Sequence, residues 1–152
     1  MLTSKTKYAL RALMALAREA DRGPRLIADL SREERIPRKF LERILLELKS
    51  RGVLRSQKGK GGGYALARSP DQINLTDIVR WMDGPLAPVS CVSQTAYAPC
   101  RECTDEASCG IRSVMKEVRD AIAQVLDATT LADLVQRARA AGEREQALTY
   151  DI

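Results

Sequence analysis

The sequence predicts a mainly α fold, a winged helix-turn-helix with a small β-hairpin wing and a long C-terminal dimerisation helix. Three observations predict it. Behind Pro37, apolar residues recur at three- and four-residue steps, as one buried helical stripe requires. A glycine-rich basic run, residues 58–63, separates two short extended segments. Further on, Ile111, Met115, Val118, Ile122 and Val125 stand at steps of four, three, four and three, a heptad seam.

In chain order, residues 4–20 form a first, packing helix, with Leu10, Leu13, Met14, Leu16 and Ala17 in helical period and Thr3 or Ser4 as its cap. Asp21-Arg22-Gly23-Pro24 stops it. Residues 26–34 give a short second helix with Ile27 and Leu30 inward, and residues 31–37 supply the turn into the third. There Phe40, Leu41, Ile44, Leu45 and Leu48 face inward, while Arg38, Lys39, Glu42, Arg43 and Glu47 face out. Gly52 ends that helix as a left-handed cap. Residues 53–57 and 64–66 read as the two strands of a hairpin whose tip is Lys58-Gly59-Lys60-Gly61-Gly62-Gly63. Two short helices and a tight turn, followed at once by a cationic hairpin, make a winged helix-turn-helix.

Ser69-Pro70-Asp71 is a turn, and residues 73–82 form a helix capped by Thr76, with Trp81 as a packing anchor. Residues 86–108 carry no sustained period and form a long loop. Residues 109–127, capped by Ser108, form the longest helix and carry the heptad seam; pairing with a second copy is the preferred reading. Residues 130–140 form a last helix, with Thr130 and Asp133 at capping-box spacing. The division expected is a DNA-binding domain at 1–84, a cysteine-bearing sensor loop at 85–108, a dimerisation helix and its successor at 109–140, and a mobile tail at 141–152.

Charge is unevenly distributed. Residues 1–68 hold 17 Lys and Arg against 7 Asp and Glu, a net of +10; the remainder holds 8 against 13, a net of −5. Between residues 49 and 68 there are six basic residues and no acidic one, with Lys49, Arg55, Lys58 and Lys60 placed for phosphates. No stretch is long and apolar enough for a membrane span, and the N-terminus lacks a signal peptide's apolar region, so a cytoplasmic protein with reduced thiols is expected. The chain has no His, which removes Ser-His and Cys-His catalysis and most catalytic zinc sites. Pro99-Cys100-Arg101-Glu102-Cys103 formally matches a disulfide-exchange motif, but without the strand-helix-strand pattern such enzymes use. No enzyme is expected.

Leu2-Thr3-Ser4-Lys5, Tyr8-Ala9-Leu10, Gly59-Lys60-Gly61-Gly62-Gly63-Tyr64 and a cysteine loop ahead of a long helix resemble the Rrf2-type winged-helix regulators, the family that includes IscR, NsrR and RirA. The resemblance implies a homodimer on a near-palindromic duplex operator, with the helix at 37–50 in the major groove and the wing in the adjacent minor groove. Carried over, it places Arg38, Lys39, Glu42 and Arg43 at base edges and phosphates, and Lys58 where the family often has Arg. It further implies an iron-sulfur cluster, 2Fe-2S or 4Fe-4S, on the loop thiols: Cys91, Cys103 and Cys109, with Cys100 as fourth ligand. The five-residue gap from Cys103 to Cys109 matches the family; the gap before it is longer. Where one branch has a His ligand this chain has Arg112, and where another has an N-terminal carboxylate it has Lys7 or Tyr8.

Three accounts of the four cysteines stay open. Thiolates in a loop near a helix N-terminus, which favours anionic ligands, suit an iron-sulfur cluster. Cys100 and Cys103 have the two-residue spacing of a zinc knuckle, though Cys91 and Cys109 do not form a second pair. The same two could form a thiol-disulfide switch. A partner protein or metabolite as the signal is a further alternative.

Overall fold

A computed structural model describes residues 2–150. Helix α1, Ser4–Arg18, starts at Thr3, whose hydroxyl accepts from the Thr6 N–H, and ends in a 3-10 turn, Ala20–Arg22, shorter than the sequence suggests. α2 is Ile27–Glu34, closed by Arg35 at φ 53, and α3 is Arg38–Ser50. Leu41, Ile44, Leu45 and Leu48 of α3 are buried, as their period requires. Phe40 is not: it is 41% exposed and packs edge-on against Tyr8 at the rim of the core. Glu47 is half-buried and pairs with Lys5 of α1 at 2.7 Å, so it is turned back toward the fold. Gly52 takes the left-handed conformation, φ 73, just past α3.

The wing is β1, Leu54–Gln57, antiparallel to β2, Gly63–Leu66, in the register Leu54↔Leu66 to Gln57↔Gly63. It is anchored toward its tip, on β2, by a pairing far away in sequence. The Arg25 N–H donates to the Tyr64 carbonyl and the Tyr64 N–H to the Arg25 carbonyl, each at 2.8 Å. Arg25 is itself held by Glu19 and Glu33. A Cβ on Gly63 would stand 2.1 Å from the Arg25 carbonyl oxygen, so no larger residue fits this approach.

α4 spans Leu75–Asp83, and its cap is Asn74, which accepts from the Thr76 N–H at 2.8 Å. Thr76 is not the cap, since it lies inside the first turn, and its buried hydroxyl bonds the Asp127 carboxylate at 2.5 Å. Trp81 packs against the core with the Arg51 guanidinium 5.6 Å over its ring. A 3-10 turn, Ser90–Val92, buries Cys91 and Val92 within the long loop.

α5, Gly110–Asp127, is capped by Cys109, whose sulfur accepts from the Arg112 N–H; Ser108 lies one residue too early to serve. α6 runs Leu131–Tyr150, so it exceeds α5 in length and replaces the tail expected at 141–152 as far as residue 150. Residues 151 and 152 lie outside the described residues. The extension is rich in Ala, Glu, Arg and Gln, strong helix formers, which accounts for a helix without burial. The capping box is present: the Thr130 N–H and hydroxyl reach the Asp133 carboxylate and the Asp133 N–H reaches the Thr130 hydroxyl. Leu131 is fully buried in the same core as Leu13, and α6 packs on α1, so the start of α6 completes the core around α1.

Candidate nucleic-acid interface and cysteine loop

α3 packs on α1, α2 and β1 through its apolar stripe, which leaves Arg38, Lys39, Glu42, Arg43 and Lys49 exposed. Arg38 and Glu42 pair at 3.6 Å across one turn, an exposed contact that water screens heavily. Both ends of that pair are therefore free to exchange it for a stronger partner. On the wing, Arg55, Lys58 and Lys60 are exposed, and Gly59 and Gly61 adopt positive φ, which lets the chain reverse around the two lysines. The sequence-derived reading residues are thus all on the surface. Leu46, which the charge pattern did not single out, also lies exposed on the outer side of α3.

The loop thiols do not share one environment. Cys91 is buried on the 3-10 turn, Cys100 is exposed, and Cys103 and Cys109 are half-buried. Burial pushes the Cys103 thiol up, and the Cys109 and Cys100 thiols push it further. Their surroundings are fixed by a latch that leaves no periodic trace in the sequence. The Tyr97 hydroxyl donates to Glu106 at 2.7 Å, a bond that raises its pKa, and Glu106 pairs with Arg112 at 3.6 Å on the first turn of α5. Asp105 accepts from the Ala107 N–H and is held below the usual carboxylate range, first by the Ser108 hydroxyl and then by that N–H. As a donor set, Cys100, Cys103 and Cys109 suit a thiophilic metal group. Among the described residues no three His, Cys, Asp or Glu side chains are already gathered as ligands, so holding such a group requires the segment to close.

The seam residues of α5 lie on one open stripe: Ile111 is 71% exposed, Val125 59%, Val118 and Ile122 38% each, and Met115 is half-buried. Val114, 54% exposed, widens it. Adjacent faces of α5 are occupied, since α4 and the 3-10 turn pack there and the Arg119 guanidinium donates to the Val92 carbonyl at 2.5 Å. Among the described residues no helix is long and apolar enough to cross a membrane.

Residues 2–137 match the Rrf2 family, described as an iron-dependent transcriptional regulator. The chain is 44% identical over 138 residues to an rrf2-like HTH-type transcriptional regulator of Rhodobacter capsulatus, covering 89% of this chain and 92% of that protein. The structure of CymR, the global cysteine regulator of B. subtilis, aligns with a TM-score of 0.75 at 30% identity, over 90% of this chain and 97% of that one. IscR of T. potens aligns with a TM-score of 0.72 at 27% identity, over 93% and 90%. With the helix-turn-helix, the glycine wing and the long helix all in place, the chain belongs to the Rrf2 family of winged-helix transcriptional regulators.

Proposed function

We propose that the protein is a homodimeric, sequence-specific DNA-binding regulator whose operator affinity is set by an iron-sulfur cluster on the loop cysteines. The observation that carries the DNA reading is the exposed face of α3 beside an equally exposed cationic wing, in a chain of this family. Arg38, Lys39 and Arg43 meet phosphates and base edges, and Glu42 accepts from a cytosine amino group once Arg38 turns to the backbone. Lys49, Arg55, Lys58 and Lys60 neutralise neighbouring phosphates and release their counterions. The apolar stripe of α5, with Ile111, Met115, Val118, Ile122 and Val125, pairs two copies so that two reading heads meet a near-palindromic site.

For the signal, Cys91, Cys103 and Cys109 supply thiolates, with Cys100 as the fourth ligand; Cys91, buried on its 3-10 turn, joins them when the loop opens. When bound, the cluster supplies an iron- and redox-responsive crosslink for the loop. The chain's own residues carry the rest. The Tyr97–Glu106–Arg112 latch ties the loop to α5, and Arg119 ties α5 to the 3-10 turn, so a change in the loop reaches the dimer helix.

A second reading keeps the same DNA-binding dimer with a thiol-based or cysteine-responsive signal, favoured by the exposed Cys100 beside Cys103 and by the likeness to a cysteine regulator. Anaerobic reconstitution of the wild type and of each Cys→Ala variant, followed by visible absorbance, iron, sulfide and zinc analysis and operator binding, separates the two. The cluster reading expects iron, sulfide and a change in operator affinity, each lost in Cys103→Ala and Cys109→Ala. Uptake of zinc alone, or a cluster without effect on DNA affinity, sinks it; affinity that follows oxidant and reductant without metal supports the second reading.

A further inference from the structure

We propose that Leu46 is a specificity-determining residue that reads the C5 methyl group of a thymine in the operator; this rests on α3 being the major-groove helix. At 100° per residue, the buried stripe of Leu41, Ile44, Leu45 and Leu48 fixes the opposite side of α3. Lys39, Leu46 and Ser50 lie along the middle of that opposite side, seven and four residues apart, with Glu42 and Arg43 on either flank. Leu46 thus stands at the centre of the presented face, one turn beyond Glu42 and about 6 Å further along the axis.

Its chemistry is out of place there. Leu46 is 57% exposed, more than any other large apolar residue of α3. The neighbouring exposed Phe40 has a partner in Tyr8, whereas Leu46 is surrounded by Lys39, Glu42, Arg43 and Ser50. Among the described residues it does not belong to the core or to the apolar groups packed against the core. A leucine neither donates nor accepts a hydrogen bond. In the major groove the groups it can meet without leaving a polar edge unsatisfied are methyls at pyrimidine C5, of which unmodified DNA offers thymine alone. The flanking Glu42 and Arg43 orient the helix by polar contacts to adjacent base pairs, and Leu46 fills the space between them with an apolar contact. The preference it creates is for thymine against cytosine and against uracil, which differs from thymine only by that methyl.

The test begins with selection of an operator from random duplexes by the wild-type protein, followed by binding to duplexes in which each thymine in turn is replaced by deoxyuridine. The expected result is one thymine per half-site whose replacement weakens wild-type binding on the order of fourfold, the worth of one buried methyl. Leu46→Ala should bind thymine and uracil duplexes equally at that position, Leu46→Met should keep most of the discrimination, and both should keep the wild-type circular dichroism. Equal binding of every uracil duplex by the wild type, or discrimination that survives in Leu46→Ala, overturns the assignment while leaving the DNA-reading role of α3 intact. If the wild type selects no duplex sequence at all, the reading of α3 itself falls and the assignment falls with it.

Discussion

Asp133 shows how single side chains fix the ends of helices here. Its carboxylate accepts from the Thr130 N–H and hydroxyl, both at 2.9 Å, and those two bonds hold its pKa below the usual carboxylate range. Asp83 is held low as well: burial pushes it up, but the Thr3 hydroxyl and N–H outweigh that and tie α4 to the start of α1. A carboxyl group lowered in the folded state stabilises the fold above its unfolded pKa of about 4. That contribution is lost as pH falls through the lower folded value. The Asp133→Asn variant, which cannot ionise, is therefore expected to lose less of its stability than the wild type as pH falls below about 4. Thermal melts across that range check it; parallel wild-type and variant curves would show that the cap does not couple to protonation. Cys103 runs the other way. Burial raises its thiol pKa, which favours the protonated form over the thiolate.

Among the elements, the wing is the clearest case of local chemistry deciding local structure, and Gly63 is the place to break it. Placing a Cβ 2.1 Å from the Arg25 carbonyl forces the Arg25↔Tyr64 bridge apart, so Gly63→Ala should detach β2 from the Arg25 segment and free the tip of the wing while the helices remain. Unchanged far-ultraviolet circular dichroism with operator affinity reduced about tenfold, and a shallower salt dependence, is the expected outcome; unchanged affinity would remove the wing from the DNA contact. The glycine run and its lysines could be read directly because turn chemistry and charge are local signals. Arg25 could not, since its pairing with Tyr64 joins distant parts of the chain and leaves no periodic trace. Caps fell between: Thr3 and Thr130 follow the usual preference, but α4 starts from Asn74 two residues before Thr76, and α5 from a cysteine, a residue seldom used as a cap. Phe40 fits the apolar period of α3 and still lies at the rim, because periodicity gives a direction and not a depth. In the last helix, residues 141–150 carry mixed charge that reads as a tail, yet their helix-forming composition extends α6 without any core contact.

At the scale of the whole molecule, the winged-helix unit and α5 are joined by a short run of hydrogen bonds. The Asn74 amide donates to the Asp127 carbonyl at 2.8 Å, the Thr76 hydroxyl bonds the Asp127 carboxylate, and the Leu75 N–H donates to the Thr129 carbonyl at 3.0 Å. The Leu131 N–H returns to the Ile73 carbonyl at 2.8 Å, so the C-terminal end of α5 is fastened to the first turn of α4. The other end of α5 carries Cys109 and the latch to the loop. A helix fastened at one end to α4 and at the other to the thiols can act as a lever, and the proposed pairing of its apolar stripe from Ile111 to Val125, about 21 Å long, with a second copy would give that lever a fulcrum. Two heads bound through one rigid dimer gain affinity because the second contact is made at high effective concentration. Ile122→Asp puts a charge in the middle of the stripe, at a position 38% exposed in the single chain, so the fold of each chain should survive. Sedimentation is expected to show a monomer, with binding to a full palindrome falling to that of an isolated half-site and the half-site affinity unchanged. A variant that remains dimeric, or a wild type that sediments as a monomer at micromolar concentration, would place the dimer interface elsewhere and remove α5 from the route between thiols and operator.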